Sequence, residues 1–263
     1  MCIRDRFYAF KNKSLKRTIG GLVSSTLKAN VKNLKDRKNS LTRGDDPYDS
    51  FDFLESHSKD FESFYFILVG NYDKIDNALD ITQDEIKDQL HVLSKQAKIG
   101  LHPSVSSGNS DAVLAKEKQT LESVLNKKIL HARQHFLKLN FPETYRNLID
   151  QGIQHDHSLG YHDAIGFRAG TSNPFYWFDL DKNQATELMI HPLLAMDVTL
   201  KKYLKLQSDQ AITEVKKLID QCKEVDAPFS LLWHNSSFYE AEGWGSWKEV
   251  YVEIVNYCRE LSA

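Results

Sequence analysis

Short unbroken apolar runs alternate with amphipathic stretches along most of the chain. Ser63-Phe-Tyr-Phe-Ile-Leu-Val69 is apolar or aromatic at nearly every position, the pattern of a strand covered on both faces. Similar runs cover 98–102, 130–135, 153–158, 164–169, 187–193 and 229–234. Between them apolar residues recur at helical spacing. One predicted helix carries Ile86, Leu90, Leu93 and Ala97 behind a cap at Thr82 or Asp84, and the next carries Leu114, Leu121, Val124 and Leu125. Pro142 opens another, with Tyr145, Leu148 and Ile149 inward, and Gly152 closes it. Ile212, Val215, Leu218, Ile219 and Cys222 share one face, as do Trp247, Val250, Tyr251, Ile254, Val255, Cys258 and Leu261.

Nearer the start, 7–43 is polar, basic and weakly periodic and reads as helical. Gly44-Asp-Asp-Pro-Tyr48 is a turn signal, and 49–58 reads as a short helix on Phe51, Phe53 and Leu54. Strands alternating with helices give βα units and a mainly parallel sheet. About seven strands in one domain predict an α/β fold of (β/α)7-like barrel type, open or closed.

Composition narrows the classes. The chain has 263 residues, 41% of them hydrophobic, enough for one large core. A formal charge of -2 gives no electrostatic case for nucleic acid. The basic stretch from Lys11 to Arg43 reads as a solvated helix face rather than a phosphate or membrane contact. Cys2, Cys222 and Cys258 form no CxxC pair, so no disulfide framework is expected. No apolar run reaches the length of a membrane span and no signal peptide is visible, so the expected compartment is cytoplasmic. There is no Gly-rich phosphate loop and no Gly-x-Ser-x-Gly elbow, and so no nucleotide cofactor site. Met1-Cys-Ile-Arg-Asp-Arg6 resembles translated adaptor read-through and is set apart from the fold.

Candidate chemistry gathers at strand ends, where parallel α/β folds collect ligands. Three apolar runs close on His102, His135 and His234. A strand-end imidazole can bind a metal or move a proton, or simply hydrogen-bond in place. Arg133 lies two residues before His135 on the same predicted face, and Arg168 lies in the 164–169 run. Each arginine calls for a carboxylate partner, because an unpaired buried charge is costly. Asp156 faces opposite to His155 and His157, whose spacing is a weak metal signal. Asp197 can contact a substrate hydroxyl or cap the next segment, and capping is the favoured reading. Tyr176 and Trp177 are core residues or a sugar platform.

The runs Gly100-Leu-His102-Pro-Ser, Arg133-Gln-His135-Phe-Leu, Asp156-His-Ser-Leu-Gly160, Gly166-Phe-Arg168-Ala-Gly170-Thr and Leu232-Trp-His234-Asn carry a resemblance. In this order they resemble a divergent Bacteroidetes branch of the polysaccharide deacetylase superfamily (carbohydrate esterase family 4, NodB-homology type). The resemblance runs from Phe7 nearly to the end and takes in Asp46-Pro-Tyr-Asp49. It implies a distorted barrel and a divalent metal, usually zinc, held by one aspartate and two histidines. A metal-activated water attacks an acetyl carbonyl, a second aspartate is the base, and a late histidine protonates the leaving amine.

By motif, His102 corresponds to a metal histidine, His234 to the acid and Arg133 to the arginine that orients the base. Asp156 and Arg168 join them as catalytic candidates. The usual partner of His102 about four residues away is absent, with Lys98 and Ser106 at those positions, and His135 is the replacement candidate.

The first motif, on the first strand, would precede Phe7 and is not in the sequence, so the first strand is expected to be missing. The expected organisation is 1–6 apart, 7–58 a basic helical segment and 59–263 the barrel. The expected function is metal-dependent deacetylation of an N-acetylated sugar in a bacterial glycan or its precursor, with little or no activity in this chain. Two alternatives stand beside it, a glycan-binding barrel without chemistry and a metal-dependent hydrolase of another amide or ester.

Overall fold

A computed structural model describes residues 3–4, 7–27, 31–70, 75, 76 and 78–262. Its central sheet has seven strands, β1 (Ile3–Arg4), β2 (Phe64–Leu68), β3 (Lys98–His102), β4 (His131–Ala132), β5 (His155–Asp156), β6 (Phe175–Asp179) and β7 (Gln184–Ile190). They lie in the order β1-β2-β3-β4-β5-β7-β6. All neighbours are parallel except β6, which returns antiparallel against β7 at the edge. Two short strands, β8 (Ala195–Met196) and β9 (Leu231–Leu232), form a separate parallel pair. The expected α/β architecture is thus present, and its hydrogen-bonded sheet is open. Of the adaptor-like stretch, residues 1, 2, 5 and 6 lie outside the described residues. Residues 3 and 4 pair beside Phe66 and Ile67, at the edge where the first strand was expected to be missing.

The helices follow the periodicity closely. They are α1 (Leu15–Leu27), α2 (Val31–Arg43), α3 (Phe51–Ser58), α4 (Asp84–Gln96), α5 (Asp111–Leu125), α6 (Glu143–Asp150), α7 (Ser208–Glu224) and α8 (Trp247–Ser262). Ile86, Leu90 and Leu93 of α4 are fully buried, each worth about 1.5–3 kcal/mol of apolar burial. β2 is buried at all five positions, as its unbroken apolar run requires. The segment before α1 is anchored by Asp46. Its carboxylate accepts from the amides of Ala9, Phe10, Lys11 and Tyr48 and from the Ser40 hydroxyl, at 2.7–3.1 Å.

Three local expectations change. The 164–169 run is a turn rather than a strand, because Gly166 and Gly170 both adopt positive φ and Gly170 N–H closes back on Phe167. The 130–135 run pairs only at His131 and Ala132, and the chain reverses at Phe136 and Leu137, both at positive φ. The β6–β7 hairpin was not foreseen as antiparallel, and Tyr176 is an exposed edge residue while Trp177 packs against the core.

Gly160 sits where a Cβ would lie 2.7 Å from the Leu193 carbonyl oxygen. Gly160→Ala is therefore expected to destabilise the fold by about 1–3 kcal/mol, read as a lower urea midpoint at constant slope.

Candidate functional site

The carboxyl ends of β2, β3, β4, β8 and β9 converge on one cavity of about 370 Å³. His102, Arg133, His135 and His234 all line it, so four of the six sequence-predicted residues meet there. His102 closes β3 and is buried, and its Nδ1 lies 2.5 Å from the Arg133 carbonyl oxygen. A carbonyl only accepts, so Nδ1 carries the proton and the ring's lone pair sits on Nε2. His135 lies just past β4, with Nδ1 2.6 Å from the Asp76 carboxylate. The same logic places its lone pair on Nε2. The two rings are 4.9 Å apart between centroids.

On the opposite side, His234 follows β9 and is tied by Nδ1 to Asp197 Oδ1 at 2.7 Å. Asp197, fully buried directly after β8, also accepts the amide N–H groups of Val198 and His234, both at 2.7 Å. The favoured capping reading does not hold, since the turn that follows has Val198 at its N-cap and no side-chain cap bond; Asp197 instead holds His234 by ring and backbone. Arg133 donates from Nε to the His157 carbonyl at 2.8 Å and rests its guanidinium 4.6 Å from the Phe66 ring centre.

The other two candidates stand apart. Asp156 is fully buried in the sheet and takes the amide and hydroxyl of Ser158 at 2.9 and 2.6 Å. The Ser158 hydroxyl in turn accepts the Gln134 amide, so Asp156 braces the Arg133–His135 loop from behind. Burial pushes the Asp156 carboxyl up to about 6, against the pull of Ser158 and Arg133. Arg168, expected to meet an acid, instead donates to the Gly160 carbonyl at 2.8 Å, because its segment is a turn whose polar head reaches backbone first.

Asp76 was missed. Its segment lacks periodicity, and only a carboxylate a few residues past a buried strand hinted at it. It is buried, and besides His135 it accepts the Val105 amide at 3.0 Å.

A second cluster was also missed. His131, His155, His157 and His191 pack on the other side of the sheet from Asp156. His131 and His155 are register partners and stack at 4.4 Å; His157 and His191 stack at 4.3 Å. Ring nitrogens of His131 and His157 lie 3.1 Å apart, and those of His155 and His191 3.0 Å. Burial holds all four below the usual histidine range, His131 at about 3 and His191 at about 4.

Among the described residues no group of three His, Cys, Asp or Glu side chains is arranged to hold a metal ion. His102 and His135 are nonetheless chemically suited to two ligand positions. Metal-bound histidines typically donate their second ring N–H to a carbonyl or carboxylate, which is the arrangement both have. Among the described residues no helix is long and apolar enough to cross a membrane.

No family model matches the sequence, and no curated protein sequence matches it. Solved structures do share its fold. A protein of Mycobacterium smegmatis assigned as a polysaccharide deacetylase superposes with a TM-score of 0.55 at 12% identity, covering 91% of this chain and 80% of that one. Puue allantoinase gives 0.52 at 11% identity, covering 81% and 70%. At these identities the likeness is one of fold, an α/β architecture on a mainly parallel sheet.

Proposed function

We propose that this NodB-type fold performs metal-dependent removal of an acetyl group from an N-acetylated sugar of a bacterial glycan or its precursor. The observation that carries the reading is the pair of Nδ1-committed imidazoles, His102 and His135, sharing a cavity with the Asp197-backed His234. His102 and His135 would hold a divalent metal such as zinc through Nε2. When bound, the metal would polarise the acyl carbonyl and acidify water.

The chain's own groups do the rest. The Asp76 carboxylate fixes the His135 tautomer. His234, held by Asp197, presents Nε2 to the cavity and delivers the proton to the departing amine. Arg133 adds a fixed positive charge to the wall, braced by the Asp156–Ser158–Gln134 chain of hydrogen bonds. Arg168 is proposed to support this indirectly, by holding the Gly160 turn.

Acetate release from N-acetylated sugars tests the reading. Release is expected with added Zn²⁺ and is expected to stop with chelator. The rate is expected to be low, since among the described residues no third metal-ligating side chain is grouped with His102 and His135. His102→Gln and His135→Gln should each weaken Zn²⁺ binding by at least ten-fold in calorimetry. Zn²⁺ affinity unchanged in both variants would remove these residues from the metal site.

The missing third ligand among the described residues favours a second reading, glycan binding without chemistry. Sugar binding that ignores chelator, with no acetate released from any sugar, would select it.

A further inference from the structure

The mouth of the cavity is built on a five-residue π turn, Thr199–Tyr203. Such turns widen the backbone and project consecutive side chains in unusual directions. This one is pinned on both flanks. The Thr199 hydroxyl donates to the His162 carbonyl at 2.7 Å, and the Lys201 ammonium donates to the Gly243 carbonyl. Lys201 also sits 4.7 Å from the Trp244 ring centre and 5.1 Å from that of Trp247. Burial, and then the neighbouring Lys202, hold the Lys201 ammonium below the usual lysine range.

Lys202, in contrast, lines the cavity. Its ammonium is 5.7 Å from the Trp244 ring centre, and it makes no ion pair among the described residues. Among the described residues the formal charges lining the cavity are Arg133, Lys202 and one carboxylate, Glu242, which is engaged by the Tyr48 hydroxyl at 3.0 Å. Lys202 and Arg133 are thus the two cations on the described wall, with the buried carboxylates of Asp76 and Asp197 committed to His135 and His234 behind it. Tyr203 and His162, packed edge to face at 5.3 Å, complete an aromatic rim beside the cation.

We propose that Lys202 selects substrates carrying an anionic substituent, a carboxylate or a phosphate, on the acylated sugar. Tyr203 and Trp244 supply the apolar surface beside it. The inference rests on the reading of this cavity as a sugar site and names the class of sugar it takes. A charge-assisted contact of this kind amounts to a ten- to hundred-fold preference, about 1.5–3 kcal/mol.

Binding of N-acetylglucosamine, N-acetylmuramic acid and N-acetylglucosamine 6-phosphate, followed by calorimetry or tryptophan fluorescence, tests it. At least one anionic sugar should bind ten-fold or more tightly than the neutral one. Which one it is separates carboxylate from phosphate recognition. Added salt should erode the preference. Lys202→Met should bring anionic and neutral sugars within about two-fold of each other, and Lys202→Arg should keep most of the difference.

Equal binding of all three sugars, or a preference that survives Lys202→Met, overturns the proposal. Acetate release followed in parallel separates the two readings. Deacetylation without anion preference sinks this inference alone. Anion preference without acetate release supports it and sinks only the chemistry.

Discussion

Lowering the pH from 7 to 5 is expected to destabilise the fold by about 3 kcal/mol, as a fall in the urea unfolding free energy. The cause is the cluster of His131, His155, His157 and His191. In the unfolded chain each takes up a proton as the pH falls through about 6.5. In the fold burial holds all four lower, His191 at about 4 and His131 at about 3, with His157 held down most firmly. Stability present above pH 6.5 is therefore lost as the pH falls below it.

Each histidine kept fully neutral contributes a slope of about 1.4 kcal/mol per pH unit, or about 2 kcal/mol by pH 5 for His157. The other three are partly exposed, and solvent screening reduces them to about as much again in sum. Asp156 opposes this. Its folded pKa of about 6 exceeds the unfolded value near 3.9, so it gains a proton in the fold first and stabilises by about 1.4 kcal/mol at pH 5. Four histidines outweigh one aspartate. His157→Phe, which keeps an aromatic ring against Phe64 and Phe66, should flatten the profile. A fold equally stable at pH 5 and 7 would contradict the account.

The other large effect is expected at Asp197. Asp197→Ala leaves two backbone N–H groups and the His234 ring N–H without their acceptor in a fully buried place, a loss of about 3–5 kcal/mol. It also frees the His234 ring, so turnover should fall by about two to four orders of magnitude relative to the parent chain.

Asp197→Asn separates the two consequences. It restores one acceptor and much of the stability, but its amide N–H₂ competes with the acceptor position that fixes the His234 tautomer. Its urea midpoint should recover most of the loss while acetate release stays low. Parental acetate release from Asp197→Asn would remove His234 from the proton-transfer role.

The alternation of strands and helices was legible because it is a local matter. An unbroken apolar run such as β2 has few options but burial on both faces, and the stripe of Ile86, Leu90 and Leu93 needs only a helix to line up. The strand-end histidines were legible for the same reason, since each closes an apolar run, and the ends of β3, β4 and β9 meet at one cavity. Arg168 was misjudged because two glycines at positive φ turned an apolar run into a bend, a backbone choice that composition alone does not settle.

What the sequence by itself determined, then, was the class of fold and the strand ends at which His102, His135 and His234 lie. Only the tertiary structure decided their partners. Asp76 reaches His135 across 59 positions, and Asp197 reaches His234 across 37. The four-histidine cluster exists because parallel register sets His131 beside His155. Periodicity reports which face of an element is buried. Which element lies against that face, and hence which carboxylate meets which imidazole, is fixed by strand order and register, and these come from the packing of the whole chain.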